Sequence, residues 1–373
     1  MAACGSSNTG APGAINQPPA APINAPRPGP GPADSGQIAI LLPLSGRLAE
    51  IGRPMLRAAQ LSMTVPGSPT LMVKDTGGTP DGAARAAQEA IQEGARMILG
   101  PVTSTETAMV APIARRAGIP VLAFTNDHAQ AQPGVWTLGI TPGQQVRRLL
   151  GAVREAQKGP VAALLPDNDF GKAMGDELTR IASVEGQPAP FVRMIGPGNE
   201  EIASAVNELA SIAGSEQPYG AILLGTTGSE LKVFARAFAD AKIDLAKVQI
   251  LGPGLWVDPA SGSAALPGAW FAMPDPDARR ELIRDYTAVY KEPPPPRADL
   301  ASDAASIARV LASQGRMNAA GLTQPAGFAG VDGWFALLPE GQVRRGLAVF
   351  RVDRGGRATK VGDAPTGPVP PGS

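Results

Sequence analysis

Between residues 37 and 252 the chain repeats one unit: a short, almost wholly apolar run, then a longer segment with helical spacing. QIAILLP, TLMVKD, RMILG and IPVLAF are the apolar runs of the first half; PVAALLP, PFVRMI, YGAILLG and VQILG are those of the second. A run that is apolar on both sides suits a strand covered on both faces. Strands alternating with helices imply a parallel sheet with helices on each side. The alternation restarts after WTLGITPG, so the expected fold is α/β, with two doubly wound parallel-sheet lobes. A length of 373 residues is enough for two such cores.

Local signals place the helices. Pro54 suits a first helical position. Thr79-Pro80 reads as a cap and first residue of a helix that ends near Gly94. After GAWFAMP come two helical stretches, residues 277–290 and 299–314. WFALLP and RRGLAVFRV, split by Glu340-Gly341, then read as a hairpin.

Both ends differ from this body. Residues 5–36 are rich in Pro, Gly, Ala, Ser and Asn and cannot bury enough apolar surface to offset the entropy of ordering. They read as a tether; fully extended, it would span roughly 100 Å at ~3.1 Å per residue. Residues 364–373 read as a shorter tail. Ala2-Ala3-Cys4-Gly5 resembles the end of a bacterial lipoprotein signal, in which small residues precede a Cys that is acylated. Cys4 is therefore the expected lipidation site. No apolar run is long enough to cross a bilayer.

Composition narrows the chemistry. Thirty-three Lys and Arg balance 33 Asp and Glu, which disfavours nucleic acid as a partner. Aromatic residues are 4% of the chain, too few for the stacking platforms of single-stranded nucleic acid or sugar sites. One Cys and one His, Cys4 and His128, exclude an intrachain disulfide and a Cys/His zinc cluster. No Ser lies in a G-x-S-x-G elbow. No metal or cofactor is expected, and His128 reads more simply as a solvated loop residue than as a catalyst.

GPVTSTET, residues 100–107, raises the main question about function. Thr103-Ser104-Thr105-Glu106 fits a capping box, with Thr103 and Glu106 satisfying each other's amides. That leaves the Ser104 and Thr105 hydroxyls on the first turn, where free amides and the helix dipole favour an anion. In an open parallel sheet, ligands collect beyond the carboxyl ends of the strands. Capping and binding are both open readings of these residues.

Five segments, taken in order, resemble the type I periplasmic binding proteins of the leucine/isoleucine/valine class. They are IAILLPLSGRLAEIG, ILGPVTSTETAMVAPIARRAGIPVLAFTND, LLPDNDFGKAM, AILLGTTGSELKVFARAFADA and FAGVDGWFALLPEGQVRRGLAVFRV. Within that class the wording is most similar to the penicillin-binding-protein activators, the LpoA-like lipoproteins. The resemblance implies two lobes joined by a three-strand hinge, with residues 37–140 and 269–323 in the first and 141–268 and 324–363 in the second. The crossings then fall near residues 139–143, 253–268 and 324–332.

The resemblance also implies a set of ligand residues. Ser104 stands where the class holds a ligand carboxylate, and Thr125, Asn126 and Asp127 line the same side. Ser45, in the first loop, and Thr105 join them. Asp127 replaces a hydroxyl residue and places a negative charge beside that carboxylate position. On the second lobe, Phe170 matches a closing ring, Thr227 stands where another ring is common, and Gly254 replaces the acid that pairs with an ammonium. Ser302-Asp303-Ala304 keeps part of a first-lobe pattern, its Asp reading equally as a helix cap.

The implied function is a non-enzymatic periplasmic lipoprotein that stimulates a peptidoglycan synthase, a penicillin-binding protein. The alternative is the receptor of an ABC transporter for branched-chain amino acids or amides, with the transporter permease as partner. Either is expected to lie in the periplasm, held to a membrane, the outer one on the activator reading, through Cys4.

Overall fold

A computed structural model describes residues 1, 37–212 and 219–368 of the chain. The Cys4 expectation and the tether lie outside the described residues. The first lobe opens with β1 (Gln37–Leu42), α1 (Ala49–Ser62), β2 (Leu71–Asp75), α2 (Pro80–Gln92), β3 (Ala95–Leu99), α3 (Ser104–Arg116), β4 (Val121–Ala123) and β5 (Val135–Thr137). Its sheet runs β2-β1-β3-β4-β5, every pair parallel. β1 carries QIAILL with all but Gln37 buried, as two-sided cover requires. α1 starts five residues before Pro54, which lies inside the helix. The bond that Pro54 forgoes is to the carbonyl of Glu50, in the first turn.

The second lobe follows as α4 (Pro142–Glu155), β6 (Val161–Pro166), α5 (Asp169–Val184), β7 (Val192–Ile195), α6 (Asn199–Ile212), β8 (Ala221–Leu224), α7 (Glu230–Asp240), β9 (Gln249–Gly252) and β10 (Trp270–Met273). The chain then returns to the first lobe with α8 (Arg280–Tyr290), α9 (Ala298–Ser313), α10 (Ala319–Leu322), β11 (Phe328–Gly330), β12 (Gly333–Leu337) and β13 (Val343–Arg345). It closes on the second lobe with β14 (Ala348–Val352) and β15 (Ala358–Gly362). The second sheet runs β15-β14-β10-β9-β8-β6-β7, parallel from β7 to β10 and antiparallel at β14 and β15.

The lobe boundaries differ from those expected in two places. β10, expected in the first lobe, lies between β9 and β14 in the second sheet. β11, β12 and β13, expected in the second lobe, form a three-stranded sheet whose Phe328, Phe335, Leu337 and Val343 enter the first-lobe core with Ile38 and Trp136. The Trp136 indole donates to the Leu338 carbonyl at 2.7 Å and fastens β5 to the hairpin. The crossings therefore lie at residues 138–141, 273–276 and 345–347.

The hairpin β12–β13 pairs Phe335 with Arg345 across the expected turn. RRGLAVFRV is not one strand. It breaks at Gly346, where a Cβ would lie 2.3 Å from the Pro365 carbonyl oxygen, and its halves join different lobes. Ala364, expected in the tail, packs on the second-lobe core.

Candidate functional site

Beyond the carboxyl ends of β1, β3 and β4 lies a cavity of about 550 Å³. The first lobe supplies most of its wall, and Gly139, Ile140, Met273 and Pro274 at two crossings supply the rest. The shelf of this cavity is the start of α3. Gly100 leads into it with φ +92°, and a Cβ there would lie 2.3 Å from the Leu41 carbonyl oxygen, so only glycine fits.

The capping box is present. The Glu106 amide donates to Thr103 Oγ1 at 3.2 Å, and the Thr103 amide donates to Glu106 Oε2 at 3.0 Å. Glu106 is fully buried and also accepts from the hydroxyls of Thr76 (2.6 Å) and Thr103 (2.8 Å). Thr107 turns its hydroxyl back to the Thr103 carbonyl at 2.8 Å. Three of the four hydroxyls of GPVTSTET are thus accounted for: Thr103 and Thr107 stabilise the turn, and Thr105 is exposed beside Thr103. The fourth, Ser104, faces the cavity.

Ser104 does not wait for an external anion: its hydroxyl donates to Asp127 Oδ2. Burial pushes the Asp127 carboxyl up, but the Ser104 hydroxyl, the Ala129 amide and the Gln130 side chain outweigh it and hold the carboxyl below its ordinary range. Asp127 is therefore ionised at neutral pH. Thr125 fixes the same loop by accepting the Asp127 amide at 3.1 Å. Of the residues singled out in the sequence, Ser104, Thr125, Asn126 and Asp127 meet at this cavity.

The others lie elsewhere. Ser45 is exposed, and its amide is one of three that donate to Asp75, at 3.3 Å, beside those of Leu44 and Gly77 at 2.8 Å. Phe170 packs on the second-lobe core, and Thr227 is half-buried outside the cavity. Gly254 donates its amide to Gln145 Oε1 at 2.6 Å; a Cβ there would lie 2.9 Å from the Ala272 carbonyl oxygen. His128 is exposed and follows Asp127 without lining the cavity.

Sequence reasoning missed the opposite wall. Arg279 stands there between Asp299 at 3.4 Å and Asp332 at 3.8 Å, and all three line the cavity. Burial, with the neighbouring Asp299 charge, pushes the Asp332 carboxyl well up. Asp303 does not cap α9: it is fully buried within that helix and accepts the Val331 amide at 2.6 Å. Its carboxyl is raised to about 7 by burial, against the pull of Arg345, whose Nη1 is 3.9 Å away. Arg345 also donates to the Leu138 carbonyl at 2.9 Å and so ties the third crossing to the first. The signal for the three carboxylates was the charge in FAGVDGWF and RADLASDAA, segments that otherwise read as core; Arg279 and Arg345 lie outside both.

Two α/β lobes, three crossings and a polar cavity at the strand ends make up the fold of the solute-binding proteins. Residues 36–357 match the sequence profile of the periplasmic binding protein family, and the chain belongs to that family. Membership implies a periplasmic location. No curated protein matches the chain. Among solved structures it is similar to a protein described as a branched-chain amino acid ABC transporter of Rhodospirillum rubrum, with 20% identity, TM-score 0.73, and coverage of 87% of this chain and 99% of that one. A solute-binding protein of an R. palustris ABC transporter, in complex with benzoate, is 22% identical with TM-score 0.55, over 90% of this chain and 98% of that one. LivJ of Streptococcus pneumoniae, a branched-chain amino acid transporter substrate-binding protein in complex with isoleucine, is 18% identical with TM-score 0.56, over 88% and 99%. At these identities the likeness is one of fold.

Proposed function

We propose that the chain is the receptor of an ABC transporter and takes a small organic solute of the amino-acid or amide class into the cavity at Ser104. The observation that carries this reading is the polar shelf of Ser104, Thr125 and Asp127, set at a cavity whose wall includes two of the three crossings. A solute touching both the shelf and the crossing segments favours one arrangement of the lobes, by its difference in affinity for the two forms. That arrangement is what a permease would read. The protein acts by binding and does no chemistry on its solute. Cys4 is its lipid attachment point.

The shelf sets the polarity of the solute. Asp127 already fills the place of a carboxylate against the Ser104 hydroxyl. A second carboxylate at 4 Å would cost about 4 kcal/mol at an effective dielectric constant near 20. The group that faces the shelf is therefore a donor, an ammonium or an amide N–H.

Stimulation of a peptidoglycan synthase is the second reading. It is favoured by Gly254, which leaves that position of the second lobe without the acid that would pair with an ammonium, and by Asp127, which blocks a carboxylate. A melting screen with amino acids, amides, amines and simple carboxylates separates the two. A solute at a hundredfold over its dissociation constant adds about 2.7 kcal/mol of stability. The receptor reading expects a shift with donor-bearing solutes and none with benzoate. No shift with any solute, together with capture of a synthase from membrane extract, would favour the activator.

A further inference from the structure

A second cavity, of about 660 Å³, lies between the lobes and shares no lining residue with the one at Ser104. One wall is α4 and α5 of the second lobe, and the other is the β12–β13 hairpin of the first. Trp334 and Leu338 give it an apolar floor.

Its charge sets it apart. Arg147, Arg148, Arg154, Arg180, Arg344 and Arg345 border it, against Glu155, Glu185 and Asp363, in a chain whose formal charge is zero. Their partners do not balance them. Arg147 and Arg180 share one carboxylate, Glu177, at 2.6 Å and 2.8 Å. Burial pushes that carboxyl up, and the Arg180 and Arg147 guanidiniums bring it down overall. Arg154 is matched by Glu185 at 2.7 Å. Arg148 donates from Nε to the Leu347 carbonyl at 2.9 Å and from Nη2 to the Asp363 carbonyl at 3.3 Å, while Glu155 stands 3.8 Å away and largely exposed. The side chain of Arg344, half-buried in the groove, makes no hydrogen bond or ion pair among the described residues. Guanidiniums gathered in a half-enclosed groove repel one another, and an anion between them would offset that repulsion.

We propose that this groove binds a small polyanion with two or more oxyanion groups, held by Arg344 together with Arg148 and Arg180. A guanidinium presents paired donors that match carboxylate and phosphate oxygens alike. The groove has room for such a solute, and the arginines are the cationic groups of its lining. Because the walls belong to different lobes, an occupant also favours the lobe arrangement in which both reach it. The site stands apart from the Ser104 cavity, whatever solute that cavity takes.

Titration calorimetry of the full chain at low salt, with citrate and with pyrophosphate as probes, tests the proposal. The expected result is saturable binding of at least one probe, one per chain, weakening as salt rises. Citrate alone would assign a polycarboxylate, pyrophosphate alone an oligophosphate, and both the shared chemistry. Arg344→Gln, which removes no side-chain hydrogen bond or ion pair among the described residues, is expected to weaken binding about tenfold or more. Arg180→Gln provides a second variant on the exposed side, expected to weaken it less. Ser104→Ala should leave probe binding unchanged. No saturable binding of either probe to the wild type, or equal binding by Arg344→Gln, would overturn the proposal.

Discussion

Among the described residues, the buried charged side chains are Glu106, Asp299, Asp303, Asp332 and Arg345, and all belong to the first lobe or to the crossing that leaves it. The buried polar groups of the second lobe are neutral: Gln145, Gln249, Ser261 and Ser263 are examples. Burying a charge is costly unless it is paired and hydrogen-bonded. The first lobe meets that cost beside the cavity and along the crossings, and the second packs as an apolar slab around Leu251, Phe271 and Val349. On the proposed reading, the Ser104 cavity recognises its solute through the first lobe.

The largest test of this contrast is the buried carboxyl of Asp303. Its folded pKa is about 7 against an ordinary 3.8, so the folded chain holds a proton that the unfolded chain releases between those values. Stability therefore falls as pH rises from about 4 to about 7, by on the order of 4 kcal/mol. Asp303→Asn keeps an acceptor for the Val331 amide and should flatten that slope in denaturant melts at pH 5 and 8. An unchanged slope would place the titrating group elsewhere.

Next in size is Gly100→Ala. The added Cβ meets the Leu41 carbonyl at a left-handed backbone position, and the expected loss is about 3 kcal/mol of unfolding free energy. Gly254→Asp asks whether the second lobe can be given an acid. Its Cβ crowds the Ala272 carbonyl, so a loss of about 2 kcal/mol is expected, with no gain in amine binding. A gain would show that the two lobes share recognition after all. The smallest effect is that of Ser104→Ala, about 1 kcal/mol for one hydrogen bond to a half-buried carboxylate, read as a small drop in melting temperature.

How much of this was legible in the sequence follows the same division. Strand–helix alternation is a local pattern, and QIAILLP or PVAALLP announces a two-sided strand without reference to anything distant. The capping box of GPVTSTET is local too, and it could be read from four residues. Which sheet a strand joins is not local. GAWFAMP looks the same beside β9 as it would beside β5, so the crossings were misplaced. Asp299 and Asp303 are four residues apart on α9 and carry the pattern of a solvated or capping pair. Only the approach of Val331, Asp332 and Arg345, from a distant hairpin, shows that they are buried. Asp127 was legible as a misfit, but its hydrogen bond from Ser104 needed two loops 23 residues apart to meet.

The most direct measurement is calorimetry with the amine- or amide-bearing solute that the melting screen selects, on the wild type and on Asp127→Asn. If the first lobe reads its solute through the Asp127 carboxylate, the variant loses about tenfold or more in affinity for that solute and tolerates carboxylates better. Equal or tighter binding of the same solute by Asp127→Asn would contradict the account.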